Sequence, residues 1–456
     1  MTGKRVVHTF LIVGVISWLA LQAEGQVYNL KALGVGPPTF SYTSNIPAIR
    51  INNSGQVVGN GAGGAYFYNG TTVSTPPVAN TSALDINNNG MIAMYSWSNG
   101  HTILSSPPYT AQTDIGTLPS CVPSSTIATA LNDSGNVVGI SNVPTSCQQP
   151  FIFSHGQMSS LGPSSPLAQW LGINNSNQVV GYYATGSATR AFQLVNGMLA
   201  DLDPSSAQSY DSEAMAINDA GQFIVNSNEL YCTKVTPQHK VITYPCRGQY
   251  WFPLLYSGST ITNLGTLGPY GGSASGINRW GDVVGSSQTS AGTSHGFLYL
   301  AGSLSDLNSH YILNGRGWTI LQVYDINDFG QMVCLAATLS GSQDVVVLTP
   351  TLVPVQTITS FTLYPTTVIG GIAGASTSTG TVTLSSPAPA GGTVVLLSSS
   401  NPVAQVPSMI RVPQNATTGT FTVTTSIPNG PTNVTISATA GYGLQSASLL
   451  VTIIGF

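Results

Sequence analysis

The chain has 456 residues, room for more than one domain, and its 42% hydrophobic content excludes a disordered polymer. Only 6% of residues are Asp, Glu, Lys or Arg, where about 25% is usual, and the formal net charge is −4. Eleven Lys and Arg in all are too few to displace the counterions of a nucleic acid, so nucleic acid is excluded as a partner.

At the N-terminus, Lys4 and Arg5 precede an apolar run over 6–21 and then Ala23-Glu24-Gly25, a small-x-small cleavage pattern. This predicts a signal peptide over 1–25. The run is shorter than the roughly 20 residues that span a bilayer, so no transmembrane segment is expected after cleavage. The expected location is secreted, extracellular or cell-surface, with the periplasm also compatible. Such compartments permit disulfides. The spacing suggests Cys121–Cys147 and Cys232–Cys246, with Cys334 left over as a small buried hydrophobe. No Cys/His cluster points to a metal, and no cofactor is expected.

Between 26 and 350 one motif recurs seven times: INNSGQVVG from Ile51, INNNGMIAM from Ile86, LNDSGNVVG from Leu131, INNSNQVVG from Ile173, INDAGQFIV from Ile217, INRWGDVVG from Ile277 and INDFGQMVC from Ile326. The intervals of 35–60 residues are those of a four-stranded propeller blade. Each motif reads as a hairpin between strands a and b. Its second position, Asn52, Asn87, Asn132, Asn174, Asn218, Asn278 and Asn327, suits an Asx-turn. Its fifth is Gly six times and Asn177 once, the residues that best tolerate positive φ. Aromatic strands c follow, as in FIFSHG (151–156) and FLYLAG (297–302), and then outer strands d such as ADLD (200–203) and SDLN (305–308). The last unit reaches Pro350 without a strand d, and VYNLKAL (27–33) reads as the missing one. Joining them predicts an all-β, seven-bladed β-propeller-like domain over 26–350.

These repeats resemble the bacterial extracellular HAF-repeat family, named for a His-Ala-Phe triplet before strand c, here degenerate as His295-Gly296-Phe297 and Arg190-Ala191-Phe192. The resemblance implies a secreted or surface protein with a propeller-like fold and brings no catalytic residues. After a linker at 351–356, residues 357–456 show about seven short strands, expected over 378–385, 393–399, 408–412, 419–425, 432–438 and 446–454 among others, as in an Ig-like β-sandwich. TGTVTLSSPAPAGGTVVLLSSSNP and VPSMIRVPQNATTGTFTVTTS resemble a bacterial Ig-like module, which implies a spacer or adhesive unit. Arg411 is the only charged residue there, so acid–base chemistry is not expected from it.

The segments 85–90 and 325–330 faintly resemble calcium loops, but lack a full ligand set and read better as Asx-turns, so no metal is expected. Asp201, Asp203, Asp211, Glu213 and Asp219 are the carboxylates a glycosidase could use. No nucleophile elbow stands out. The longest repeat interval carries an insertion near 226–249, read as a decorated loop stapled by Cys232 and Cys246. It offers Lys234, His239, Lys240, Arg247, Tyr250 and Trp251 as ligand-binding candidates, since loops on a rigid scaffold often carry function. The expected function is therefore a non-enzymatic recognition or scaffold protein that binds a glycan or an extracellular protein. The alternative is a carbohydrate-active hydrolase or lyase with its site at the propeller centre. Carboxylates converging on that centre would favour the enzyme; carboxylates confined to hairpin turns would remove it. The sequence leaves the oligomeric state open.

Overall fold

Short apolar alternations between Gly- and Asn-rich turns fold as strands throughout. The computed structural model describes residues 27–39, 49–118, 125–143, 147–161, 169–185, 188–202, 210–235, 241–300, 302–310, 312–313, 315–351, 357–372, 374–388, 392–440 and 443–453. The expected signal peptide and most of the linker lie outside them. The described residues contain no α-helix, and therefore none long and apolar enough to cross a membrane.

Two compact units divide the chain, Asn29–Thr349 and Pro350–Phe456. In the first, seven sheets follow one another among the described residues, and each a–b hairpin falls on the repeated motif. The third sheet is typical: Ser125–Leu131, Val137–Val143, Cys147–Ser154 and Gln157–Ser160 pair in order, all antiparallel. The last sheet takes Trp318–Ile326, Met332–Thr338 and Gln343–Thr351 from one end of the unit and Val27–Ala32 from the other. Ile312–Leu313 adds an outer strand there that the sequence did not suggest. The unit is all-β and propeller-like.

One repeated feature explains the VVG ending of the motif. Gly59, Gly139, Gly181 and Gly285 stand opposite Tyr66, Phe151, Phe192 and Phe297 on strand c. A Cβ on Gly139, Gly181 or Gly285 would run first into a strand a carbonyl, that of Ile127, Gln169 or Ser273, and on Gly181 and Gly285 it would also lie 2.8 and 2.9 Å from the facing ring. Where the glycine is replaced, the aromatic is too: Met94 faces Ile103, Val225 faces Leu254 and Cys334 faces Val346. Either pair fills the same interior volume. Cys334 is buried, and burial pushes its thiol pKa upward, away from reactivity.

A second feature ties strand c to strand d. The residue two before the strand c aromatic, or before Ile103 in the second sheet, reaches the strand d aspartate: His101 to Asp114 at 3.0 Å, Arg190 to Asp201 at 3.3 Å and His295 to Asp306 at 2.7 Å. His295 and Arg190 are the degenerate triplet residues. In the last sheet the same place holds Asp344, and the polarity reverses. Asp344 accepts the backbone N–H groups of Gly34, Val35 and Gly36 at 2.7, 2.9 and 2.9 Å, just beyond the N-terminal strand. Gly34 and Gly36 have φ of +73° and +72°, which turns these donors toward one carboxylate. Asp344→Ala is expected to cost about 2–3 kcal/mol by orphaning these donors. Limited proteolysis should then cut the variant near residues 33–37 well before wild type; equal cleavage rates would show that the clasp does not hold the strand.

The second unit pairs Ile358–Tyr364, Thr377–Leu384, Thr418–Thr425 and Ala404–Gln405 in one sheet. Thr367–Ile369, Gly443–Thr452, Thr432–Ala440, Thr393–Ser399 and Met409–Val412 form the other. Strict alternation buries Val382, Val395, Val423, Val434, Ile436 and Leu449 in one core.

Candidate functional site

The site begins with the hairpin turns. In all seven the fifth motif residue has positive φ, from +58° at Asn177 to +82° at Gly281. The second-position Asn is 2–5% exposed in every case, though a lone Asn is usually solvated. Its side chain does two jobs. The Oδ1 accepts N–H groups of its own turn, as Asn132 does from Ser134 and Asn136 at 3.1 and 2.9 Å. The Nδ2 donates to the carbonyl of the corresponding Asn in the next sheet: Asn52 to Asn87, Asn87 to Asn132, Asn132 to Asn174, Asn174 to Asn218, Asn218 to Asn278, Asn278 to Asn327, and Asn327 back to Asn52, at 2.9–3.3 Å. The hydrogen bonds close on themselves, so the seven turns meet around one axis.

The third-position residues stand on the rim of that ring: Asn53, Asn88, Asp133, Asn175, Asp219, Arg279 and Asp328. With six of the second-position residues and the Ile and Leu that open each motif, they line a pocket of about 200 Å³. A second set of bonds runs along the rim. Asn53, Asn88, Asp133 and Asn175 each donate their N–H to the Oδ1 of the next rim residue, at 2.8–2.9 Å. Arg279 donates to Asp328 and Asp328 to Asn53, both at 2.9 Å. The one junction without such a bond is Asp219 to Arg279, because a guanidinium cannot accept. The Asn175 Nδ2 is 3.1 Å from Asp133 Oδ2 and 2.8 Å from Asp219 Oδ2, so these two carboxylate oxygens lie within about 6 Å of each other.

Just beneath, the residue before each motif is Ala130, Gly172, Ala216 or Gly276 in four sheets, and Arg50, Asp85 and Asp325 in the other three. Arg50 Nε is 3.9 Å from Asp85 Oδ1. Asp85 accepts the N–H of Leu131 in the next sheet at 2.7 Å, and Asp325 accepts that of Ile51 at 3.1 Å. Burial pushes the Asp85 carboxyl up to about 7 and raises that of Asp325, while the Arg50 charge pulls both back down. The calcium-loop likeness at 85–90 and 325–330 thus has a structural basis: their leading carboxylates bind backbone amides across neighbouring sheets.

Among the described residues, the carboxylates singled out in the sequence do not assemble at the centre. Asp201 is engaged by Arg190 and by the Tyr183 hydroxyl at 2.9 Å. Asp211 accepts from the Thr189 N–H at 2.9 Å and Asn228 Nδ2 at 3.1 Å. Asp203 lies outside the described residues. Asp219 alone reaches the central rim. Glu213 sits near the start of strand Ser212–Ile217, away from the turn, and burial, with Asp211 nearby, pushes its carboxyl up to about 7. An unfolded glutamate titrates near 4.5, so the native state holds this proton more tightly. Its contribution is present below about 4.5 and is lost as pH rises through about 7. Glu213→Gln is therefore expected to match wild type at pH 4.5 and exceed it at pH 8 by on the order of 2–3 kcal/mol in urea unfolding. No gain at pH 8 would contradict this.

The expected loop at 226–249 is corrected. Strands Phe223–Val235 and Val241–Ser257 continue outward as a two-stranded ribbon, with a bulge between Ser227 and Glu229. Lys234 and Arg247 are on its strands, opposite Ile242 and Glu229. Tyr250 and Trp251 lie at its base, where the Tyr250 ring meets Tyr270 edge-on at 6.0 Å. His239 and Lys240 fall outside the described residues. Cys232 stands opposite Tyr244 and Cys246 opposite Leu230, a diagonal placement. Cys147 opens its strand, and Cys121 is outside the described residues. The ribbon extends from the end of its sheet remote from the a–b turn, so Lys234 and Arg247 on it and the central pocket are at opposite ends. Sequence reasoning missed the rim because nothing in one repeat says that seven turns converge. The single Arg among Asn and Asp at position three was the available signal.

No family model and no curated protein matches the chain. Among solved structures it resembles the β-propeller domain of the trilobed protease from Pyrococcus furiosus, at 9% identity over 68% of this chain and 94% of that one, with TM-score 0.44. It resembles Pyrococcus horikoshii acylaminoacyl peptidase at 10% identity, covering 75% of this chain but only 59% of that one, with TM-score 0.43. For oligogalacturonate lyase from Vibrio parahaemolyticus the identity is 10%, the coverage 71% and 97%, and the TM-score 0.42. These neighbours are named as peptidases and a lyase, at odds with the expected non-enzymatic recognition or scaffold protein, and that expectation is not carried further. The likeness itself is one of fold, and the chemistry rests on this chain's own residues.

Proposed function

We propose that this chain is a carbohydrate-active enzyme, a hydrolase or lyase, with its site at the centre of a seven-bladed β-propeller. One observation carries the reading: Asp133 and Asp219, from different repeats, share the Asn175 amide in an open central pocket and lie within about 6 Å of each other. The two conditions set from the sequence coincide here, because the hairpin turns are themselves the centre. Carboxylates about 5–5.5 Å apart serve double-displacement hydrolysis, one attacking the anomeric carbon and the other protonating the leaving oxygen, whereas single displacement needs about 6.5–9.5 Å. The amides of Asn53 and Asn88, each with one N–H engaged on the rim, offer a second neutral donor to sugar hydroxyls. A panel of plant and bacterial polysaccharides, read for new reducing ends and for unsaturated products, tests the proposal. Hydrolysis, where seen, is expected to retain anomeric configuration by NMR. No turnover on any polymer would sink the reading.

The same reading takes the first unit as a member of the extracellular HAF-repeat type and the second as an Ig-like sandwich acting as a spacer, in a secreted protein. The closed Asn ring supports the first, the two-sheet core of Pro350–Phe456 the second, and the 6–21 apolar run with its small-x-small ending the third.

A further inference from the structure

We propose that Arg279 makes the central pocket selective for a substrate that carries a carboxylate, a uronate-containing polysaccharide; this rests on reading that pocket as the site. Arg279 occupies the one rim position of seven that is neither Asn nor Asp. The substitution forfeits a bond: the Asp219 N–H finds no side-chain acceptor in the next turn, unlike its counterparts. The guanidinium is held 5.0 Å from the Trp280 ring centroid, and the Trp280 indole N–H is anchored on the Asp328 carbonyl at 2.8 Å. The cation is thus oriented by a stacked, tethered aromatic rather than by an acid. Among the described residues Arg279 forms no ion pair. The rim carboxylates, in contrast, are engaged by amides: Asp133 by Asn88 and Asn175, Asp219 by Asn175, and Asp328 by Asn53 at 2.7 Å. Arg279 is the one cation on a rim that otherwise carries Asn53, Asn88, Asn175 and the amide-engaged Asp133, Asp219 and Asp328, and its planar, pre-oriented guanidinium suits a bidentate carboxylate.

Isothermal titration of the full chain with hexagalacturonate, a sulfated hexasaccharide and a neutral cellohexaose tests this, beside Arg279→Asn. That variant restores the Asx acceptor used at the other rim positions and is expected to melt at or above the wild-type temperature. Wild type is expected to prefer the uronate, and Arg279→Asn to weaken its binding by about 10–100-fold while leaving any neutral binding unchanged. Equal affinity for uronate and neutral oligomers, equal affinity for sulfate, or unchanged uronate binding in Arg279→Asn would each overturn the proposal. Turnover of neutral polymers without uronate preference would remove this inference and keep the enzyme. Arg279-dependent uronate binding without turnover of any polymer would keep this inference and remove the enzyme.

Discussion

Asp133→Asn and Asp219→Asn are each expected to reduce turnover by about 10²–10⁴-fold, the range for loss of a positioned acid, base or nucleophile. Stability should fall by no more than about 1 kcal/mol, the cost of replacing the Oδ2 that accepts Asn175 Nδ2. The two expectations separate because the repeat itself supplies the control. Asn53, Asn88 and Asn175 fill the same motif position, and Asn keeps the Oδ1 that the preceding turn's N–H needs, as Asn175 does for Asp133 at 2.8 Å. The substitution therefore removes charge and proton-transfer capacity and keeps that Oδ1, while trading the Oδ2 acceptor of Asn175 Nδ2 for a donor. Initial rates on the best polymer and urea midpoints check both halves. Turnover unchanged in both variants would take the chemistry away from this pair.

Asn327→Ala is expected to cost about 3 kcal/mol, one of the largest effects of a single side chain in the first unit. Asn327 is 4% exposed. Its Oδ1 accepts from Phe329 and Gln331 at 3.0 and 2.9 Å, and its Nδ2 donates to the Asn52 carbonyl at 2.9 Å and to Gln331 Oε1 at 2.8 Å. Truncation leaves two donors and two acceptors unpaired in a buried place, each costing about 1–3 kcal/mol before relaxation. Asn327→Asp gives a sharper comparison. It keeps the acceptor for its own turn but points an oxygen at the Asn52 carbonyl, so the loss should persist at neutral pH although the shape is preserved. If Asn327→Asp were as stable as wild type in urea, the link from the last turn to the first would contribute nothing.

Much of this organisation was legible in the sequence. The hairpin could be read because a left-handed fifth position selects Gly or Asn, and the one exception, Asn177, adopts φ of +58°. The orphan strand at 27–33 could be read because a sheet edge needs a partner, and Val27–Ala32 does join the last sheet. The coupling of Gly59 to Tyr66 and of Cys334 to Val346 was also present in the letters, but its meaning needs the strand register. The site was far less legible. Positive charge drew attention to Lys234 and Arg247, yet they lie on a ribbon at the far end of the fifth sheet from its turn. Asp219 was among the carboxylates a glycosidase could use, but Asp133 and Asp328 looked like ordinary turn residues, and locally they are. They become a site only because the Asn ring brings positions up to 275 apart in the chain, Asn52 and Asn327, back to one axis. Asp85 and Asp325 were noticed only as the start of calcium-like segments, and Arg50 not at all, because each sits in a different repeat, before the motif.

Hydrogen exchange of the full chain, with and without the polymer fragment that it turns over fastest, tests the central claim most directly. The account predicts added protection in the turns at 52–56, 87–91, 132–136, 174–178, 218–222, 278–282 and 327–331, with the ribbon unchanged. Protection confined to the ribbon or to 350–456, with the seven turns unaffected, would contradict it and move the site off the axis.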